Sequence, residues 1–285
     1  MTTRPIAVTG ASGNIGGAVV RGLLEAGQAN VIALARDAGR VIDLQRAVPV
    51  RSADYRSHTQ MASALAGVGT LVFISSDGEA ASMLVHHINV VDAAVAAGID
   101  HIVYLSILDI EPDSPFCFAP VHRETERMLR NSGLAHTIVR ASIYGEFFTQ
   151  WVTKAASSGE LTLPMGSGRV SLVARDDVAR CLVACTLQRS ASLVQATGAR
   201  SYDLAELAAL ASRFSSRAVT AIDVELPEFC SLLLRDHLTP WWAYAYTSMF
   251  AAVREQRFRT VTHDITTLTA RSPISFETIT EHVLD

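Results

Sequence analysis

Lysine is almost missing from this chain. Of its 24 basic residues one, Lys154, is a lysine and the rest are arginines. Any chemistry that needs a lysine amine therefore rests on that one residue. Cysteine is scarce too. Cys117, Cys181, Cys185 and Cys230 form no C-x-x-C pair and stand at no zinc-ligand spacing with histidine. That argues against a metal site or disulfide framework and for reduced, packing thiols in a cytoplasmic protein. Cys181 and Cys185 lie one helical turn apart on what reads as a buried face. No apolar run reaches the roughly 18–20 residues that a membrane span needs. No basic tract occurs, and a net charge of −4 gives no electrostatic footprint for nucleic acid. Strand pattern begins at Ile6, which leaves no room for a signal peptide. What remains is 49% hydrophobic and 18% charged over 285 residues, a composition that buries a large core.

Glycine is placed more tellingly. Residues 6–20, IAVTGASGNIGGAVV, read as strand, tight turn and helix. A short β-branched run ends at Thr9, glycines follow at 10, 13 and 16, and an amphipathic stretch opens at Asn14. Gly10 lets the chain turn sharply, Gly13 lets a phosphate approach bare backbone, and Gly16 lets the helix pack close to the strand. The orphan amides and positive dipole end of that helix suit a pyrophosphate. The motif thus predicts a dinucleotide site of Thr9, Gly10, Ser12, Gly13, Asn14, Ile15 and Gly16; the alternative is a purely structural strand–helix turn. A second strand at 30–35 ends at Arg36, 20 residues beyond Gly16. That is about where a Rossmann unit reads the ribose. An acid there would repel a 2′-phosphate, whereas a guanidinium clamps one in a fork. NADP(H) is expected over NAD(H), with Asp37 as the neighbour that argues the other way.

Further strands are read at 48–53, closed by Asp54, at 70–75, leading into Ser76, at 101–106 and at 135–139. Between them lie helices at 59–65, at 81–97 with Met83, Ile88, Val91 and Val95 at helical intervals, and at 121–131 after a proline-rich loop. His86 and His87 read as ordinary helix residues without metal partners. The alternation predicts an α/β fold, a Rossmann-type doubly wound parallel sheet whose ligands bind at the carboxyl edge. Asp54, Ser75, Ser76 and Ser106 stand at strand ends on that edge and join the cofactor-lining candidates. Beyond Arg140 the pattern loosens. Exposed-looking aromatics (Phe147, Phe148, Trp151) precede a turn at 164–168 and a strand at 171–174. A helix then starts near Asp176, followed by strands near 193–196 and 218–224, a helix at 204–214, and C-terminal helices carrying Trp241 and Trp242. Two domains are expected: an NAD(P)-binding domain at 1–140, and at 141–285 a smaller substrate-binding lobe packed over the carboxyl edge of the sheet.

The run TGASGNIG at 9–16, Arg36, and HRETERMLRNSGLAHTIVR at 122–140 together resemble the atypical short-chain dehydrogenase/reductases. Within them they resemble the NmrA-like branch that includes NAD(P)H-dependent quinone reductases. That branch's H-x-x-x-E-x-x-L helix, then S-G and a strand, is matched by His122, Glu126, Leu129, Ser132 and Gly133. The resemblance spans essentially the whole chain, including the helix start at Asp177. It implies the fold and NADPH binding. The Tyr-x-x-x-Lys pair of typical short-chain dehydrogenases is not kept. Setting His122 on the lysine position puts Phe118 on the tyrosine position, and Lys154 lies far downstream. The usual ketone proton relay is absent.

A quinone reductase needs less, because a hydroquinone anion takes its proton from solvent. The protein must mainly hold two flat rings face to face and exclude water. The resemblance therefore implies an NADPH-dependent oxidoreductase that passes hydride to a small quinone-like or conjugated, aromatic acceptor, without flavin or metal. His122 is read as holding the ribose or donating to the quinone oxygen, and Glu126 as orienting it. The bland reading of this helix is a solvated face of paired charges. Where the branch has an R-N-G-W-Y-like stretch the chain reads Arg140-Ala141-Ser142-Ile143-Tyr144. Tyr144 is kept as a phenol donor while the pocket wall changes. The rival readings are an NADP(H) sensor that reports to a protein partner without turnover, and a specialised-metabolism reductase or isomerase. A homodimer is the other assembly considered.

Overall fold

Short β-branched runs become strands and the amphipathic stretches between them become helices. The computed structural model describes residues 4–189, 192–215 and 217–284. In chain order it opens with β1 (Ile6–Val8), α1 (Asn14–Glu25), β2 (Val31–Ala35), α2 (Ile42–Gln45), β3 (Val50–Ser52) and α3 (His58–Ala64). Then follow β4 (Thr70–Ile74), α4 (Ala80–Ala96), β5 (His101–Ile107), α5 (Ala119–Asn131), β6 (Ala135–Ala141), α6 (Gly145–Ser158), β7 (Glu160–Leu163) and α7 (Arg175–Gln188). The chain closes with β8 (Leu193–Ala196), α8 (Leu204–Arg213), β9 (Thr220–Asp223), α9 (Leu226–Arg235), α10 (Pro240–Arg254), α11 (Asp264–Thr269) and α12 (Phe276–Leu284). Two compact units result. The first comprises residues up to Ser106, Val121–Arg140 and Arg175–Val194. The second comprises Ile107–Pro120, Ala141–Ala174 and the chain from Gln195 onward.

A seven-stranded sheet runs in the order β3-β2-β1-β4-β5-β6-β8. Its central registers are parallel, with Ile6 beside both Val31 and Thr70, and Thr70 beside His101. All five residues of β2 are buried, as expected of a strand covered on both faces. The strand order reverses between β1 and β4, the point at which an open α/β sheet leaves a crevice at its carboxyl edge. The doubly wound sheet read from the sequence is the one observed.

Several local readings are corrected. On α4 the buried stripe is Met83, His87, Val90, Val91 and Ala94, whereas Ile88 and Val95 face outward. The helix is rotated because a histidine takes a core position. The aromatics of α6 are not exposed: Phe148 is fully buried and Trp151 nearly so, packed with Phe250 in the core of the second unit. Residues 171–174 form no ladder strand. They are buried and extended, held through isolated bridges of Tyr144 with Val173 and of Val170 with Tyr202. The strand of this region is β7, which pairs in parallel with β9 in a two-stranded sheet of the second unit.

Candidate functional site

The glycine turn is built as a cradle. Thr9 is stitched into the sheet: its amide donates to the Val72 carbonyl at 3.0 Å and its Oγ1 accepts from the Ile74 amide at 2.9 Å. Its hydroxyl is therefore engaged in joining β1 to β4. Gly10 takes a φ of +61°, a left-handed value that glycine adopts without steric cost, and its carbonyl accepts from the Gly13 amide at 2.9 Å. At Gly16 an added Cβ would lie 2.2 Å from the Gly10 oxygen and 2.9 Å from the Thr9 oxygen. Only glycine lets α1 start against β1. Ser12, Gly13 and Asn14 stand exposed on the crest, with Ile15 and Gly16 buried beneath. Helix α1 opens with no side-chain cap and no acid in its first turn. Its first amides are then left for an anion, at the positive end of the helix dipole. These features fit a dinucleotide pyrophosphate.

The neighbouring strand ends complete the edge. Arg36, directly after β2, is exposed. Asp37, the residue that argued for NAD(H), accepts from the Gly39 amide at 2.8 Å through Oδ1, so its carboxylate is turned into its own loop. Asp54 follows β3 and is gripped by Arg56, whose Nη2 reaches Oδ2 at 2.6 Å. That hydrogen bond, against the opposing effect of burial, holds the Asp54 carboxyl below its ordinary range. The Tyr55 hydroxyl donates to the Ile74 carbonyl at 2.7 Å. After β4, Ser75 is half-buried, and the Ser76 amide donates to Nε2 of His87 at 3.2 Å.

His122 is 3% exposed, with its Nδ1 2.7 Å from the Tyr104 hydroxyl and the two rings stacked at 5.9 Å. Burial pushes its pKa down to about 4, although the Glu126 charge acts the other way. The imidazole is neutral at pH 7. Glu126 is also fully buried, but it does not orient His122. It accepts from Ser106 Oγ at 2.8 Å, from Arg140 at 2.7 and 2.8 Å, and from Arg130 at 3.2 Å. Burial alone would raise its carboxyl; Arg140, Ser106 and Arg130 outweigh that and leave it below the ordinary value. The residue that touches His122 is Tyr104. Nor do the two belong to a solvated face, which α5 confines to pairs such as Arg127–Glu124.

In the second unit, Tyr144 is the half-buried N-cap residue of α6. Phe118 packs edge-on against Phe116, Trp241 and Trp242, with ring centroids at 5.3, 6.2 and 6.4 Å. The Trp241 indole nitrogen is buried without a hydrogen-bond partner. Lys154 is paired with Asp236 at the surface, and so supplies no substitute for the missing lysine. Tyr104, His87 and Thr125 were not found from the sequence. A tyrosine flanked by Val103 and Leu105 in a strand read as covered on both faces was the available signal, since a buried phenol needs a partner.

A sheet edge with this turn, this uncapped helix and this arginine defines a dinucleotide-binding α/β protein. The family model described as NAD(P)H-binding matches residues 10–189, and the chain belongs to that family. Quinone oxidoreductase 2 of Escherichia coli (strain K12) is 32% identical over 232 residues, 80% of each chain. An NAD(P)H azoreductase of Xenophilus azovorans is 27% identical over 226 residues, 78% of each. Among solved structures, an NADPH-dependent quinone oxidoreductase of Escherichia coli complexed with NADPH matches with a TM-score of 0.93 at 27% identity. The match covers 98% of this chain and 100% of that one.

Proposed function

We propose that this protein is an NADPH-dependent oxidoreductase that reduces a quinone-like or otherwise conjugated, flat acceptor. The observation that carries the cofactor choice is Arg36 standing exposed at the strand end while Asp37 is turned away to the Gly39 amide. When bound, NADPH supplies a hydride, so that with one proton a quinone becomes a hydroquinone. The residues of the chain divide the remaining work. Amides at Ser12, Asn14 and Ile15 hold the pyrophosphate, with Gly13 giving it close approach, and Arg36 holds the 2′-phosphate through charge-assisted bonds. Asp54, Ser75 and Ser76 line the same edge; Ser106 supports it through Glu126.

His122, neutral and buried, donates a hydrogen bond rather than a proton, and the proton comes from solvent. Phe118, at the position of the usual tyrosine, neither gives nor takes one. In the second unit Phe118, Trp241 and Trp242 offer faces and edges to an aromatic acceptor, and the Trp241 indole N–H is a donor for its oxygen. Tyr144 is the phenol that this reading assigns to the acceptor. On this reading the first unit serves the cofactor and the second, which includes Ile107–Pro120 as well as most of the chain beyond Arg140, serves the substrate. Four free cysteines fit a reducing, cytoplasmic setting. Among the described residues no helix is long and apolar enough to cross a membrane.

The test is titration of NADPH and NADP+ beside NADPH oxidation with a panel of quinones and azo dyes. Acceptor-dependent oxidation supports the proposal. Firm cofactor binding with no turnover on any acceptor overturns it.

A further inference from the structure

Tyr104 lies on β5 with no exposed surface, so its phenolic proton must be given to a protein acceptor. Two are close, His122 Nδ1 and Thr125 Oγ1, and the surrounding bonds decide between them. The Ser76 amide donates to His87 Nε2, and a backbone amide cannot reverse that role. His87 therefore carries its proton on Nδ1 and donates it to Thr125 Oγ1 at 2.8 Å. The Thr125 hydroxyl passes its own proton to the Val121 carbonyl at 2.8 Å. Thr125 has thus spent its proton on Val121 and one of its two lone pairs on His87, and the short bond of the Tyr104 hydroxyl is the one to His122. His122 Nδ1, at 2.7 Å, is the acceptor for Tyr104.

We infer that Tyr104 is a positioning residue whose O–H donates to Nδ1 of His122 and holds that imidazole as its Nε2–H tautomer. Two histidines packed edge to face, 5.9 Å apart, then carry opposite tautomers, His87 with the proton on Nδ1 and His122 with it on Nε2. Neither partner titrates near neutrality: burial pushes the Tyr104 phenol well up and the His122 imidazole down to about 4. The bond therefore keeps the same protonation on either side of neutrality. His122 presents a constant neutral donor on its far nitrogen, to a sugar hydroxyl or a carbonyl oxygen, and cannot serve as an imidazolium acid at pH 7. The catalytic consequence rests on the proposal that His122 belongs to the site; the tautomer does not.

The test is two-bond 1H–15N NMR of the histidine rings in the full-length 15N-labelled protein, with His122 assigned by its loss in His122→Gln. The wild type is expected to show His122 protonated on Nε2 and bare on Nδ1, with His87 the reverse. In Tyr104→Phe the His122 ring should shift toward a mixture of tautomers while His87 stays unchanged. In the same variant kcat for acceptor reduction should fall roughly five- to tenfold, the size of one misdirected hydrogen bond, with little change in acceptor KM. A wild-type His122 protonated on Nδ1 overturns the inference, as does a tautomer that ignores Tyr104→Phe. If the tautomers are as expected but neither Tyr104→Phe nor His122→Ala changes kcat, the positioning role is refuted and the catalytic reading of His122 goes with it.

Discussion

Gly13 and Gly16 stand three residues apart, yet a methyl group on each meets different surroundings, and that difference separates binding from folding. At Gly16 the new Cβ would lie 2.2 Å from the Gly10 oxygen and 2.6 Å from its carbonyl carbon. Both belong to backbone already fixed by the Gly13 amide and, one residue back, by the bond from Thr9 to Val72. Restoring ordinary contact near 3.4 Å means displacing the start of α1 by about 1.2 Å, the difference of the two distances. Overpacking of this kind costs about 1–3 kcal/mol, or roughly 2–10 °C in Tm for a protein of this size. The same shift pulls the α1 amides off the phosphates.

At Gly13 the backbone is extended, φ −95° and ψ 170°, which alanine adopts freely. Its Cβ would meet only the Gly10 oxygen, at 3.3 Å. Gly13→Ala should therefore keep the wild-type Tm. It should also place a methyl on the exposed crest, where it displaces one charge-assisted bond worth about 1.5–3 kcal/mol. That is roughly ten- to a hundredfold in Kd for NADPH. Thermal unfolding and NADPH fluorescence titration read the two effects separately. If Gly13→Ala binds NADPH as the wild type does, the phosphates do not lie on that crest. If Gly16→Ala melts with the wild type, the contact of α1 with β1 is not the tight one described.

Arg36→Ala should weaken NADPH by about 1.5–3 kcal/mol and NADH far less; equal weakening of both, measured by titration, removes Arg36 from the 2′-phosphate. Trp241→Phe keeps the ring and removes the N–H, so acceptor KM should rise several-fold at an unchanged Kd for NADPH; unchanged steady-state kinetics would return Trp241 to a packing role. His122 and His101 are held near 4 and His87 well below its ordinary value, each chiefly by burial. In each case the folded pKa is below the unfolded one. Between about pH 6.5 and 4 the unfolded chain thus binds more protons, and stability falls as the pH drops through that window. His122 alone contributes about 3 kcal/mol, from 6.5 to about 4, at 1.36 kcal/mol per unit. His122→Gln should flatten the slope of unfolding free energy against pH by about one proton; an identical slope refutes a buried neutral His122.

The cofactor half was legible because its signals are local. Three glycines after a β-branched run prescribe a turn within ten residues, and an arginine at a strand end needs no distant partner to be read. The fate of Glu126 was not local. Four residues along a helix from His122 it looks like that residue's partner, but Arg140 on β6 and Ser106 on β5 take the carboxylate once the sheet is assembled. Tyr104 and His122 meet for the same reason: β5 and α5 come together only in the tertiary fold. The α6 aromatics failed differently. Phe148 and Trp151 pack on Phe250 of α10, about a hundred residues later, and no pattern within α6 announces that cover.

The central claim is hydride transfer from NADPH to a flat acceptor without help from flavin or metal. The most direct measurement is stoichiometry: purified protein, a metal chelator, no added flavin, NADPH and a simple benzoquinone, with NADPH loss and hydroquinone formation followed together. The account predicts one hydroquinone per NADPH, at a rate that scales with protein and collapses in Gly16→Ala. Bound NADPH that remains unoxidised in the presence of excess quinone would contradict it.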